Sequence, residues 1–196
     1  MRNYFIKNRD SRIRIIGGKW RGSKIPVTES DGLRPTADRI RETLFNWISL
    51  EVPGANCLDL FAGTGALSLE SLSRGADYVT AIEKSKLVFE SLKKTALKLK
   101  ADNLKVINAD ALEWLQDGCL DSTKIPRYDL IFLDPPFQSG LLSHAANLLE
   151  FNNFISSKTL IYIEQASLKE SMQLPKNWKR IKHKISGEVD YALYHL

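Results

Sequence analysis

CLDLFAGTGALSL, residues 57–69, is the stretch from which the fold can be read. Cys57 to Phe61 form a short, mostly apolar run, the pattern of a buried strand. Ala62-Gly63-Thr64-Gly65 is a glycine turn, and Ala66 to Leu69 open a helix. A strand that delivers a glycine loop into a helix start builds a nucleotide-type pocket in open α/β sheets. Glycine allows a left-handed backbone and close approach to a ligand. The helix N-terminus adds unpaired N–H groups and a partial positive charge.

Downstream, strands and helices alternate. Strands are expected at 56–61, 78–83, 104–108, 128–133 and 159–164, with helices at 66–74, 85–100, 111–116 and 140–150. Residues 178–186 and 189–195 alternate polar and apolar around Gly187, as a terminal antiparallel pair does. The expected fold is α/β, Rossmann-like, a mainly parallel sheet of seven strands with helices on both faces.

Upstream, Thr36 or Asp38 can cap a helix running to Leu50, with Ile40, Leu44, Phe45, Trp47 and Ile48 as its apolar stripe. The opposite face, Asp38, Arg39, Arg41, Glu42 and Asn46, is expected to be mostly solvated. Before it, RIRIIGGKWRGSKIPV, residues 12–27, reads as a hairpin with Lys19, Trp20 and Arg21 at the tip and Arg14 and Lys24 on its strands. Such charges are often only a solvated face. Cations beside an exposed aromatic also suit a nucleic-acid backbone and base stacking. The expected division is a basic hairpin appendage over 1–30 and the main domain over 31–196.

The chain has 196 residues, enough for one sizeable core. A net charge of +5 is compatible with a polyanionic partner without demanding one. Cys57 and Cys119 form no metal or disulfide pattern, which suits a reducing compartment. No signal peptide or membrane-length apolar run is evident. A cytoplasmic monomer without a metal site is expected.

Gly63-x-Gly65 alone is a weak signal, and a dinucleotide fingerprint would want Gly or Ala where Ser68 stands. Glu83 sharpens it: at the end of the second strand, a carboxylate can take two ribose hydroxyls. Asp110, after the third strand, can accept from an adenine amino group. Asp59 lies inside the first strand, where an unpaired carboxylate is costly. It can orient the glycine loop or face a ligand's ammonium through water.

Asp134-Pro135-Pro136-Phe137 is the most specific motif. Two prolines fix the backbone and remove two N–H donors. The Asp134 carboxylate and the Pro135 carbonyl can then converge on one spot that holds acceptors and no donor. An exocyclic amine of a nucleobase fits it. Gripping both N–H bonds favours pyramidal nitrogen and aims its lone pair, while Phe137 offers a face for the base.

With these residues in hand, the chain resembles class I S-adenosylmethionine-dependent methyltransferases, and among them the RsmD family. That family methylates N2 of one guanine in bacterial 16S ribosomal RNA. The matching stretches are RIIGGKWRG (14–22), GLRPTADRIRETLFNW (32–47), CLDLFAGTGALSLESLSRGA (57–76), DPPFQSGLL (134–142) and LIYIE (160–164). Ser68 departs from the glycine often found there. The resemblance implies an S-adenosylmethionine site made by Asp59, Phe61, Gly63, Thr64, Gly65, Glu83, Asp110 and Ala111, with Arg39 and Asn46 on a segment closing over its methionine end. It implies a catalytic set of Asp134, Pro135 and Phe137. It also implies RNA contacts by Arg14, Lys19, Trp20, Arg21 and Lys24, to 16S rRNA within the small subunit or its assembly intermediate. The competing readings are an amino methyltransferase for another RNA or DNA base, a silent RNA-binding assembly factor, and a dinucleotide oxidoreductase.

Overall fold

The structure, a computed structural model, describes residues 12–27, 38–117, 127–136, 140–152, 154–166 and 173–196. A small hairpin, β1 (Arg12–Arg14) and β2 (Lys24–Pro26), precedes helix α1 (Asp38–Trp47). The alternating region follows as β3 (Asn56–Asp59), α2 (Ala66–Ser73), β4 (Tyr78–Glu83), α3 (Lys86–Leu99), β5 (Leu104–Asn108), α4 (Ala111–Asp117), β6 (Leu130–Leu133), α5 (Leu141–Phe151) and β7 (Leu160–Ala166). The chain ends in β8 (Lys179–Ser186) and β9 (Val189–His195).

The seven strands expected form one sheet, and their order in it is β5-β4-β3-β6-β7-β9-β8. β9 runs antiparallel to both neighbours, and the other pairings are parallel. The central strands are apolar runs because both faces are covered; all four residues of β6 are buried. One face packs against the hairpin, α1, α2 and α3, through Ile13, Ile15, Ile25, Phe45, Leu69 and Leu92. The other packs against α4 and α5, through Leu115, Ala145 and Leu149. Chain order reverses between β3 and β6, which carry the two chemical motifs. Ligands of open α/β sheets bind outside the carboxyl ends of strands at such a switch point. Among the described residues no helix is long and apolar enough to cross a membrane.

The hairpin is tied to α2 by polar contacts. Glu70 on α2 is 0% exposed, and its carboxylate accepts the N–H groups of Ile16 (2.7 Å) and Gly17 (2.8 Å) and the Nε–H of Arg74 (2.7 Å). Ser73 Oγ accepts the Trp20 N–H at 2.9 Å and donates to the Gly17 carbonyl at 2.5 Å. Gly18, at φ +72, passes so close that a Cβ would lie 1.7 Å from the Ser73 carbonyl oxygen. That closeness, with the left-handed backbone, explains glycine there.

Two expectations need correction. Arg41, expected on the solvated face of α1, is 0% exposed. Its Nη2 donates to Asp38 at 2.6 Å and to the Arg14 carbonyl at 2.9 Å, and its Nη1 lies 3.9 Å from Glu70. The hairpin covers this part of α1, so a polar position on the helical wheel became an interior one. Trp20 is half-buried rather than exposed: it packs against the core, with Lys19 Nζ 4.2 Å from its ring centre.

Candidate active site

The glycine turn leaves β3 at the switch point. The sheet pairing continues past β3, with Leu60 N–H donating to the Phe132 carbonyl (3.2 Å) and Ala62 N–H to that of Ile82 (2.9 Å). The chain then turns through Gly63 (φ +51) and Gly65 (φ +76). A Cβ on Gly65 would lie 2.3 Å from Leu92 Cδ1, so a side chain there would have to displace the Leu92 tip besides adopting a strained φ. Thr64 is buried and Phe61 half-buried. α2 starts directly at Gly65, whose carbonyl accepts the Leu69 N–H at 2.8 Å.

Glu83 closes the next strand end. One oxygen accepts the Gly63 N–H at 2.9 Å and the other the Ser85 N–H at 2.6 Å. The carboxylate therefore pins the glycine turn while retaining lone pairs, since an ionised carboxylate offers about four acceptor positions. Burial raises its pKa, and the Ser85 and Gly63 donors oppose the rise. Asp110 follows β5. One of its oxygens caps α4 through the N–H groups of Leu112 (2.9 Å) and Glu113 (3.2 Å), and the other takes Lys84 Nζ at 3.0 Å. Burial pushes its pKa up, but Lys84 and the two helix donors outweigh that and hold it below the ordinary carboxylate value. Ala111, buried, is the first residue of α4.

Asp59 is 2% exposed and faces α2, where it accepts the Ser68 hydroxyl (2.6 Å) and the Ser68 N–H (3.1 Å). The Ser68 hydroxyl thus gives the buried carboxylate a donor beyond the backbone N–H. Burial still lifts the Asp59 pKa to about 6, against the Ser68 hydrogen bonds. A raised folded-state pKa favours the folded state most where both states are protonated, below about pH 4. Its contribution declines as pH rises towards about 6. Asp59→Asn should therefore lose that component of the stability profile in unfolding curves between about pH 4 and 6. An unchanged profile would show that Asp59 does not titrate there.

Asp134 follows the last residue of β6 and is half-buried; Pro135 is buried and Pro136 exposed. Asp59 pairs with Phe132 in the parallel register, so Asp134 stands level with Phe61, at the mouth of the glycine turn. The two motifs therefore lie one strand spacing apart, about 4.8 Å. Phe137 lies outside the described residues. On the other side of β6, the buried Tyr162 hydroxyl donates to the buried Glu164 at 2.9 Å. Burial first, then the charges of Glu164 and Asp134, push the Tyr162 phenol well above its ordinary pKa. Glu164 was absent from the residues singled out in the sequence; an acid ending an apolar strand was the available signal.

Arg39 and Asn46 are exposed on α1 and make no hydrogen bond or ion pair to the glycine turn among the described residues. Arg14, Lys19, Arg21 and Lys24 are exposed on the hairpin, on either side of the half-buried Trp20.

Known proteins resemble the chain over nearly its whole length. The family model described as Conserved hypothetical protein 95 matches residues 13–195. Ribosomal RNA small subunit methyltransferase D of Escherichia coli (strain K12) is 46% identical over 183 residues, covering 93% of this chain and 89% of that protein. The protein of the same name from Haemophilus influenzae is 42% identical over 99% of both chains. The solved structure of yhhF from Escherichia coli superposes with a TM-score of 0.83 at 42% identity, covering 94% of this chain and 97% of that one. With matches of this extent, the chain belongs to the family of ribosomal RNA small subunit methyltransferase D.

Proposed function

We propose that this chain methylates the exocyclic N2 of a guanine in 16S ribosomal RNA, with S-adenosylmethionine as methyl donor. The observation that carries the reading is the placement of Asp134 and Pro135 beside the glycine turn, on adjacent strands at the switch point. Its relatives are named as methyltransferases of small-subunit ribosomal RNA, which favours an RNA base as acceptor.

The residues present fit the donor. The turn at Gly63 and Gly65 leaves backbone open to a ligand beside the start of α2. Glu83 keeps lone pairs for ribose hydroxyls, and Asp110 stands at the next strand end for the adenine amine. S-adenosylmethionine, when bound, supplies an activated methyl on a sulfonium whose leaving group is a neutral thioether. The chain's own contribution is positioning and polarisation. The target guanine leaves its stack to reach the strand ends. Asp134 and the Pro135 carbonyl accept the two amine hydrogens, with Phe137 against the base. As positive charge builds on N2, the hydrogen bond to Asp134 strengthens, and the proton then passes to Asp134 or water. No protein nucleophile takes part, and buried Cys57, its thiol pushed up to about 12 chiefly by burial, is unsuited to be one.

In this reading the hairpin over 1–30 holds RNA through Arg14, Lys19, Trp20, Arg21 and Lys24, while 31–196 carries the chemistry. Arg39 and Asn46 lie on the segment that closes over the methionine end. The protein acts in the cytoplasm as a monomer on the small subunit or its assembly intermediate. Incubation with labelled S-adenosylmethionine and small-subunit RNA or particles lacking the modification, followed by mapping of the labelled base, tests the reading. Label on a guanine N2 is expected; label on another base overturns the target, and absence of label overturns the enzyme. Glu83→Ala should weaken cofactor binding by roughly tenfold or more, the scale of hydrogen bonds to a charged group. Unchanged affinity in calorimetry would remove its ribose role.

A further inference from the structure

β8, KRIKHKIS, forms one edge of the sheet, contains no acid, and is exposed at every position from Lys179 to Ile185. Residues opposite one another on an antiparallel pair share a face. Lys179, Lys182 and Lys184 pair with His195, Leu193 and Tyr191 on β9. Leu193 and Tyr191 belong to the core on the side of α1 and the hairpin, so the three lysines line that side. None of the three has an ion pair within the described structure. On the opposite side the polar groups have partners close by: His183 Nε2 lies 2.9 Å from Asp190, and Arg180 hydrogen-bonds the Tyr194 hydroxyl.

The placement relates these lysines to the reaction centre. Lys184 pairs with Tyr191, which pairs with Glu164, and Leu133 pairs with Ile163. Lys184 is therefore level with Asp134, three strand spacings away, about 14 Å. α1 links the two basic surfaces. Arg41 near its start bonds the hairpin at the Arg14 carbonyl, and Trp47 at its end stacks on Tyr191, ring centres 5.5 Å apart. Ten helical residues span about 15 Å.

We infer that Lys179, Lys182 and Lys184 form a second RNA-binding surface, which holds the phosphate backbone flanking a base presented to Asp134. This rests on the RNA reading above. Lysine on an edge strand also deters strand-to-strand aggregation. Here the register shift at Arg180/Lys182 already disrupts the edge, and the unpaired cations gather on the face shared with the basic hairpin.

The first test is lysine acetylation of the full chain, with and without deproteinised small-subunit ribosomal RNA, read by mass spectrometry. Lys179, Lys182 and Lys184 should be protected together with Lys19, while Lys105 on the far edge strand stays reactive. Protection of Lys19 without the β8 lysines overturns the second surface and leaves the RNA reading standing. Protection of neither, by this RNA or by small-subunit particles, overturns both. Protection that requires a protein component of a subunit particle assigns the surface to a protein and overturns the inference. The second test is the triple variant K179Q/K182Q/K184Q. The salt slope of RNA binding should fall by about 2, with affinity at 0.15 M salt lower by roughly 40-fold, if each lysine neutralises one phosphate of a single strand. Cofactor affinity should stay that of the parent. An unchanged slope, with or without self-association of the variant, leaves β8 as edge protection alone.

Discussion

Asp134→Ala should lose methyl transfer by roughly 10²-fold or more, the scale seen when one polar contact to a transition state is removed. The loss should appear in turnover, because the carboxylate's hydrogen bond strengthens as charge builds on the amine nitrogen. Cofactor affinity in calorimetry should survive, since Glu83, Asp110 and the glycine turn lie on other strand ends. Asp134→Asn keeps an acceptor at the same place and should retain a larger share of activity than alanine. Near-parental turnover in Asp134→Ala would reject the catalytic role and, with it, the reason for placing a base at this sheet edge.

Glu70→Ala should cost about 3–5 kcal/mol of stability, the range for removing one partner from a buried charge network. Three groups lose their acceptor at once: the N–H groups of Ile16 and Gly17 and the Arg74 guanidinium. Arg41 also loses its nearby counter-charge and stays buried with Asp38 as its remaining ion-pair partner among the described residues. For a chain of this length the midpoint of thermal unfolding should drop on the order of 10 °C. Amide exchange at Ile16 and Gly17 should accelerate, because these donors hold the hairpin to α2. Glu70→Gln keeps an acceptor and should fall in between. A midpoint within about 2 °C of the parent, with exchange at Ile16 unaltered, would show that apolar packing of Ile13, Ile15 and Ile25 holds the hairpin without the network.

The alternating region was legible because its signals are local. YVTAIE is apolar enough to be a buried strand and occupies Tyr78–Glu83 as expected; LKVIN occupies Leu104–Asn108. α1 was harder. Its stripe of Ile40, Leu44 and Phe45 was readable from helical spacing, and all three are buried. Arg41 was not, because its burial depends on a hairpin separated from it by 27 residues of chain at the Arg14 contact. Trp20 misled for the same reason: its neighbours in sequence are polar, but the surface under it is α2. At the site, Glu83 and Asp110 were placed by their positions after apolar strands. Their engagement with Gly63, Ser85 and Lys84 was visible only in three dimensions.

By itself, the sequence determined the layered α/β architecture, the glycine turn, the rigid Asp-Pro-Pro segment at 134–136 and the basic character of the hairpin, since periodicity, glycine and proline act through neighbouring residues. Tertiary structure decided what no local rule reaches. Asp134 stands level with Phe61 because β3 and β6 pair in parallel register. Glu70 and Arg41 are interior charges because the hairpin folds back over α1 and α2. The lysines of β8 share a face with that hairpin because β9 runs antiparallel between β7 and β8. Each is a long-range pairing, and its energy comes from surfaces that meet only after the chain has closed.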